Sequence, residues 1–179
     1  KPKKEAASSK EVTVYMGVVE QQALVLAQEF EKDTGIKVNF VRMSGGETLS
    51  RIRAEKDDPK ASVWYGGSAD SFIVAKKEGL LAPYMSPNAA KVADNFKDPE
   101  GYWTGVYQGY LGFILDGRYF KENNLQPPTS WNDLLKPEFT GQIMMGNPGS
   151  ASTGYVIVSS LVQMMGEDQA MDYLAKLHK

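Results

Sequence analysis

Three short stretches carry residue types suited to holding a negatively charged solute. They are Arg42-Met43-Ser44-Gly45-Gly46-Glu47, Tyr65-Gly66-Gly67-Ser68-Ala69-Asp70 and Asn147-Pro148-Gly149-Ser150-Ala151-Ser152-Thr153-Gly154. Each places glycine and a hydroxyl residue where the surrounding pattern changes from strand to helix. The first turn of a helix has unpaired N–H groups and about half a unit of positive charge from its dipole. Glycine lets a ligand approach the backbone, and Ser or Thr adds a short neutral donor, so each junction is a candidate anion-binding corner. The ordinary alternative is helix capping. Ser and Thr are common N-cap residues, and Ser44 with Glu47 is a capping box that needs no ligand.

The elements around these corners must position them. Val12, Val14 and Met16 alternate with Thr13 and Tyr15, which is strand periodicity. Ala23, Leu26, Ala27 and Phe30 share one helical face, and Gly35 stands where a helix end favours a left-handed residue. Ile36, Val38 and Phe40 form a second alternating run. A helix with Leu49 and Ile52, a short strand at Ser62–Tyr65 and a helix over 68–78 follow. This order predicts βαβ units on a parallel sheet, whose loops at the carboxyl ends of the strands gather ligand-binding groups.

Between Leu81 and Gly109 the prolines indicate surface connections. Tyr110–Leu115 and Gln142–Met145 are expected as further strands. Ser130 or Thr129 is expected to cap a short helix with Asp133 in its first turn. Two helices over 153–165 and 167–177 complete the pattern.

Composition narrows the chemistry. The 179 residues are 42% hydrophobic and 23% charged, with a net charge of -2, which describes a globular chain rather than a disordered one. Nothing basic enough to track a phosphate backbone is present, so no nucleic-acid partner is expected. No cofactor is expected either. Cysteine is absent and histidine occurs once, as His178, which removes thiol chemistry and disfavours zinc or triad catalysis. Neither a nucleotide-cradling glycine motif nor a nucleophile elbow occurs, and no enzymatic activity is expected. Trp64, Tyr65, Trp103, Tyr107 and Tyr110 could wall a cleft, with Trp64 favoured as core. Glu20 could meet a ligand amine at a helix start, or simply a helix dipole.

The stretch VTVYMGVVEQQALVLAQEFEKDTGIKVNFVRMSGGETLSRIRAEKDDPKASVWYGGSADSFIVAKKEGLLAPY resembles the first lobe of bacterial extracellular solute-binding proteins of ABC importers, in the ferric-iron or sugar-phosphate group. SWNDLLKPEFTGQIMMGNP and LVQMMGEDQAMDYLAKL resemble the start of the second lobe. The likeness implies an α/β, type II periplasmic-binding-protein fold, with two α/β lobes closing on a ligand and the second lobe incomplete. Residues 1–10 are expected as a flexible tether, 11–115 as the first lobe and 116–179 as the beginning of the second, with the crossing at Leu115–Asp116. The chain resembles an amino-terminal fragment whose partner is the carboxyl-terminal half of the same protein.

The resemblance implies a binding component that captures a small anionic solute for an ABC permease. The location would be periplasmic or extracellular, free or lipid-anchored. Ser44, Gly45, Gly67, Ser68, Ser150, Ser152 and Thr153 are the candidate ligand-binding residues. The alternative is a ferric-iron binder with a synergistic anion in the same cleft. One iron-binding subclass supplies histidine and glutamate where this chain aligns Val19 and Gly67, and neither of these can ligate a hard cation.

Overall fold

A computed structural model describes residues 10–149 and 151–178. Residues 1–9 of the expected tether, and Ser150, lie outside the described residues. By its internal contacts the chain divides between Tyr107 and Gln108 into two units.

The first unit is built on three parallel strands, β1 (Glu11–Met16), β2 (Lys37–Arg42) and β3 (Val63–Tyr65), in the order β2-β1-β3. Val14 pairs with Phe40 on one side and Val63 on the other, so β1 is central. Helix α1 (Glu20–Thr34) follows β1, α2 (Gly45–Ala54) follows β2, and α3 (Ala69–Lys77) follows β3. The expected alternation and the parallel sheet are both present. Gly35 ends α1 with φ 70°, and its N–H donates to Glu31 O. A side chain is strained there, which is why glycine serves.

Strand alternation sorts the side chains of β1. Val14 and Met16 are buried with Ala23 of α1, and Val12, Val38, Phe40 and Tyr65 pack around them. Tyr15 points to the opposite face, is 1% exposed, and donates from its hydroxyl to Glu55 Oε2 at 2.6 Å, just past the end of α2. Arg51 lies over the Tyr15 ring and bonds Glu55 Oε1 at 2.8 Å. On this second face Trp64 stacks on Phe72 of α3, with centroids 4.1 Å apart. Residues 79–107 return to α3, where Lys76 pairs with both Asp98 and Glu100. Lys76 Nζ donates to Asp98 Oδ1 at 2.7 Å, and Asp98 Oδ2 accepts from the Glu100 and Tyr102 amides.

The second unit contains α4 (Gly117–Glu122), α5 (Ser152–Met165) and α6 (Glu167–Leu177). Helix α4, capped by the Asp116 carboxylate, has no forecast in the periodicity, being only six residues long. Helices α5 and α6 bury Leu161, Ala170 and Tyr173 between them. The Tyr173 hydroxyl donates to Trp131 O at 2.6 Å, which ties the pair to a short 3-10 helix, Trp131–Leu135. The strands expected at Tyr110–Leu115 and Gln142–Met145 do not form. A strand needs a neighbour for its N–H and C=O groups, and the described residues offer neither run one. Their side chains stand in solvent instead, with Ile114 100% and Met144 98% exposed.

Ser130 caps the 3-10 helix as anticipated, in a capping box with Asp133. The ion pair with Lys136, followed by the Thr129 and Ser130 donors, holds the Asp133 carboxyl well below the usual carboxylate range. A depressed folded pKa contributes stability above the unfolded value, near 3.9, and that contribution is lost as pH falls below it. The protein should therefore lose stability as it is acidified below about pH 4. In Asp133→Asn the acid limb should be shallower and stability at neutral pH lower, as read by urea unfolding across a pH series.

Candidate functional site

The ends of the three strands are tied together beyond the sheet. Gly17 N–H donates to Tyr65 O at 2.8 Å, and Met43 N–H donates to Met16 O at 3.1 Å. Arg42 Nε donates to Val18 O at 2.8 Å. These bonds hold the loops after β1, β2 and β3 at one level and bring the first turns of α2 and α3 side by side. A Cβ on Gly45 would lie 3.2 Å from Ser71 Oγ and 3.9 Å from Gly67 Cα. A Cβ on Gly17 would lie 3.0 Å from Gly66 C and O, so only glycine allows so close a crossing of loops. Gly66 and Gly67 have φ of 81° and 108°, and that left-handed pair turns the chain from β3 into α3.

Of the seven candidate residues, Ser44, Gly45, Gly67 and Ser68 thus share one corner of the first unit. Their two serines are in different states. Ser44 is the N-cap of α2; its hydroxyl accepts from Glu47 N–H at 3.3 Å, and Glu47 Oε2 accepts from Ser44 N–H at 2.8 Å. That bond to the Ser44 amide lowers the Glu47 carboxyl below its ordinary range. The capping reading therefore holds at this junction, although the Ser44 hydroxyl proton is not consumed by it. Ser68 is the N-cap of α3, and its side chain makes no capping hydrogen bond. Its hydroxyl is free of the duty that explains most N-cap serines.

Ser152 and Thr153 occupy the first two positions of α5, in the second unit. The cap position belongs to Ala151, with no side-chain cap bond. Thr153 is exposed. Gly154 has a packing reason for being glycine, since a Cβ there would fall 2.2 Å from Gly146 O. Ser150 lies outside the described residues.

Two aromatic residues belong to the first corner although the spacing alone did not single them out for it. The Tyr107 hydroxyl accepts from Gly67 N–H at 3.3 Å. The Trp64 indole nitrogen is buried without a hydrogen-bond partner among the described residues, and stands 3.9 Å from where a Cβ on Gly67 would be. A cavity of about 1040 Å³ runs along β3, lined by Trp64, Tyr65 and Phe72 together with Leu80, Leu81 and Trp103. None of Ser44, Gly45, Gly67 and Ser68 lines it. Among the described residues no group of three or more His, Asp or Glu side chains converges to hold a metal ion. His178 is an exposed residue at the end of α6.

Residues 58–179 match the bacterial extracellular solute-binding proteins. The chain belongs to that family. Its structure is similar to that of the periplasmic binding protein AfuA from Actinobacillus pleuropneumoniae, solved with exogenous fructose-6-phosphate bound, at a TM-score of 0.87 and 36% identity. That alignment covers 95% of this chain and 55% of the other. A probable ABC transporter periplasmic-binding protein of Sinorhizobium fredii is 28% identical over 93% of this chain and 47% of its own. Iron-bound HitA from Pseudomonas aeruginosa shares the fold at a TM-score of 0.73 and 24% identity, over 94% of this chain and 54% of that one. The chain thus spans about half the length of the relatives it matches.

The two serines of the corner should separate by mutation. Ser44→Ala removes a cap acceptor and should lower unfolding stability by about 1 kcal/mol. Ser68→Ala removes no cap bond and should change stability by less than about 0.5 kcal/mol. Urea unfolding of the two variants beside the wild type measures both.

Proposed function

We propose that this chain forms the amino-terminal half of the solute-binding component of an ABC importer, and that the solute is a small organic anion carrying a phosphate or similar oxyanion group. The observation that carries the reading is the corner between α2 and α3. Two helix first turns meet there, glycines leave the backbone open, and the Ser68 hydroxyl has no cap bond to occupy it. The solute bound in the AfuA structure is a sugar phosphate, which supports the same class for this chain.

In this reading the free N–H groups of α2 and α3 bind the oxyanion through their dipole ends, and the Ser44 and Ser68 hydroxyls orient it. Ser150, Ser152 and Thr153, at the start of α5, contribute from the second lobe. The carboxyl-terminal half of the polypeptide completes both lobes, and the crossing between them lies at Leu115–Asp116. Closure of the lobes hides the solute and presents a surface to the membrane permease. The protein works outside the cytoplasmic membrane as a carrier, with no catalytic step. Ferric iron is the weaker reading, because Val19 and Gly67 offer no ligand where one iron-binding subclass uses histidine and glutamate.

Mass spectrometry of small molecules released from the denatured full-length protein tests this directly. A phosphorylated or similar organic anion is expected, and iron in stoichiometric amount would overturn the reading. Thr153 supplies a finer test. Thr153→Val keeps the shape and removes one donor to a charged group, so affinity should fall about 10- to 150-fold. A lowered melting temperature with unchanged affinity would instead make Thr153 a structural residue of α5. Titration calorimetry and thermal unfolding, run side by side, decide.

A further inference from the structure

The segment that follows α3 is held at both ends of that helix. At the far end Lys76 Nζ donates to Asp98 Oδ1 at 2.7 Å, and the Asp98 side chain is only 8% exposed. Backbone bonds set the path from there. Asp98 N–H donates to Trp103 O at 2.9 Å, and Gly105 N–H donates to Phe96 O at 2.7 Å. A Cβ on Gly105 would fall 2.8 Å from that same oxygen, so the close pass needs glycine. Two residues on, the Tyr107 hydroxyl accepts from Gly67 N–H at 3.3 Å, just before the first turn of α3. Helix α3 has nine residues and is about 13 Å long, so residues 98–107 run from one end of it to the other.

The bond to Gly67 leaves the Tyr107 hydroxyl half engaged. A phenol oxygen accepts and its O–H donates. Here the oxygen takes the Gly67 amide, and among the described residues the O–H has no acceptor. Tyr107 is 57% exposed, so a solute can reach its side chain. The place is the corner already described. Gly67 adjoins Ser68, whose side chain makes no cap bond, and a Cβ on Gly67 would lie 3.5 Å from Gly45 Cα at the start of α2. With its oxygen engaged by the amide, the hydroxyl has a proton left to offer. Hydrogen bonds in a chain polarise one another, and the first turn of α3 adds the positive end of a dipole. Both effects make this O–H a better donor.

We propose that Tyr107 is a solute-contacting residue of the corner: the Gly67 N–H holds its hydroxyl oxygen, and its O–H donates to an oxygen of the solute's oxyanion. This inference rests on the anion reading above and adds to it a donor from outside both helices. It also sets a preference. An acceptor oxygen gains the bond, strongly so when it carries charge, whereas an ammonium group would meet a proton and gain nothing. The Gly67 amide then acts on the solute through the phenol rather than directly.

The test uses the full-length protein, freed of bound solute, with fructose 6-phosphate and inorganic phosphate as probes. Tyr107→Phe keeps the ring and removes only the hydroxyl. Its affinity for whichever probe the wild type binds should fall about 10- to 100-fold, with the melting temperature of the unliganded protein little changed. Independently of that affinity, the Tyr107 Cζ resonance of the wild type, assigned by its loss in Tyr107→Phe, should move as the probe saturates the protein. If the wild type binds a probe while that resonance stays put, the role of Tyr107 is overturned and the anion reading stands. The same holds if Tyr107→Phe binds as tightly as the wild type, whatever its melting temperature. Tighter binding by Tyr107→Phe also overturns it, because the hydroxyl then only occupies an amide that the solute takes directly. A wild type that binds neither probe, nor any phosphorylated solute released from it, overturns both readings.

Discussion

The arrangement of the first unit depends on the backbone pairing of β1 with neighbours on both sides, continued for one residue past its end. Because the strands are parallel, their carboxyl ends fall on the same edge. The Gly17 to Tyr65 and Met43 to Met16 bonds then fix how far each loop can travel before its helix starts. A one-residue slip of β2 would exchange the buried and exposed faces of the strand. It would also carry Gly45 away from Gly67 and open the corner. The hydrophobic contacts of Val14, Met16 and Ala23 guard against that slip, so the packing beneath the sheet sets the geometry of polar groups at its edge.

The same constraint accounts for the glycines. Gly17 and Gly66 cross closely enough that a Cβ on the second would lie 2.8 Å from Val18 Cγ1. Gly67 needs a positive φ as well as room. These residues cost conformational entropy on folding and contribute no side-chain contacts. In exchange, the loops after β1 and β3 and the first turns of α2 and α3 can approach one another closely. A different solution appears at Asp133, where one carboxylate gathers donors from Thr129, Ser130 and Lys136. Both are turns into helical segments, one shaped by glycines and the other by a carboxylate.

Much of the first unit could be read from residue order alone, because local signals and tertiary outcome agree there. Alternation in 12–16, the helical face of Ala23 and Ala27, and Gly35 as a left-handed end all depend on neighbours a few residues away. The runs 110–115 and 142–145 could not be settled that way. An apolar run of strand length forms a strand only where another edge accepts it, and that information is not local. The site was partly legible for a similar reason. Ser44 is equally a cap and a donor by residue type, and the distance to Glu47 makes it a cap. Ser68 reads identically in sequence, and only the geometry frees its side chain. Trp64 was expected as core, but it is only half-buried: its ring stacks on Phe72 and lines the cavity along β3, which no spacing encodes.

If the chain serves as a carrier, as proposed, it must release what it captures, and the donor chemistry of this corner would suit that demand. A guanidinium or ammonium group would bind an oxyanion more strongly than a neutral hydroxyl does. The nearest such group in sequence, Arg42, donates from its Nε to Val18 O. Neutral hydroxyls and dipole ends hold charge only while they are aligned and shielded from water. Binding of this kind gains its strength from closure and loses it on opening. Lobe motion, rather than competition by another ion, would then set the moment of release.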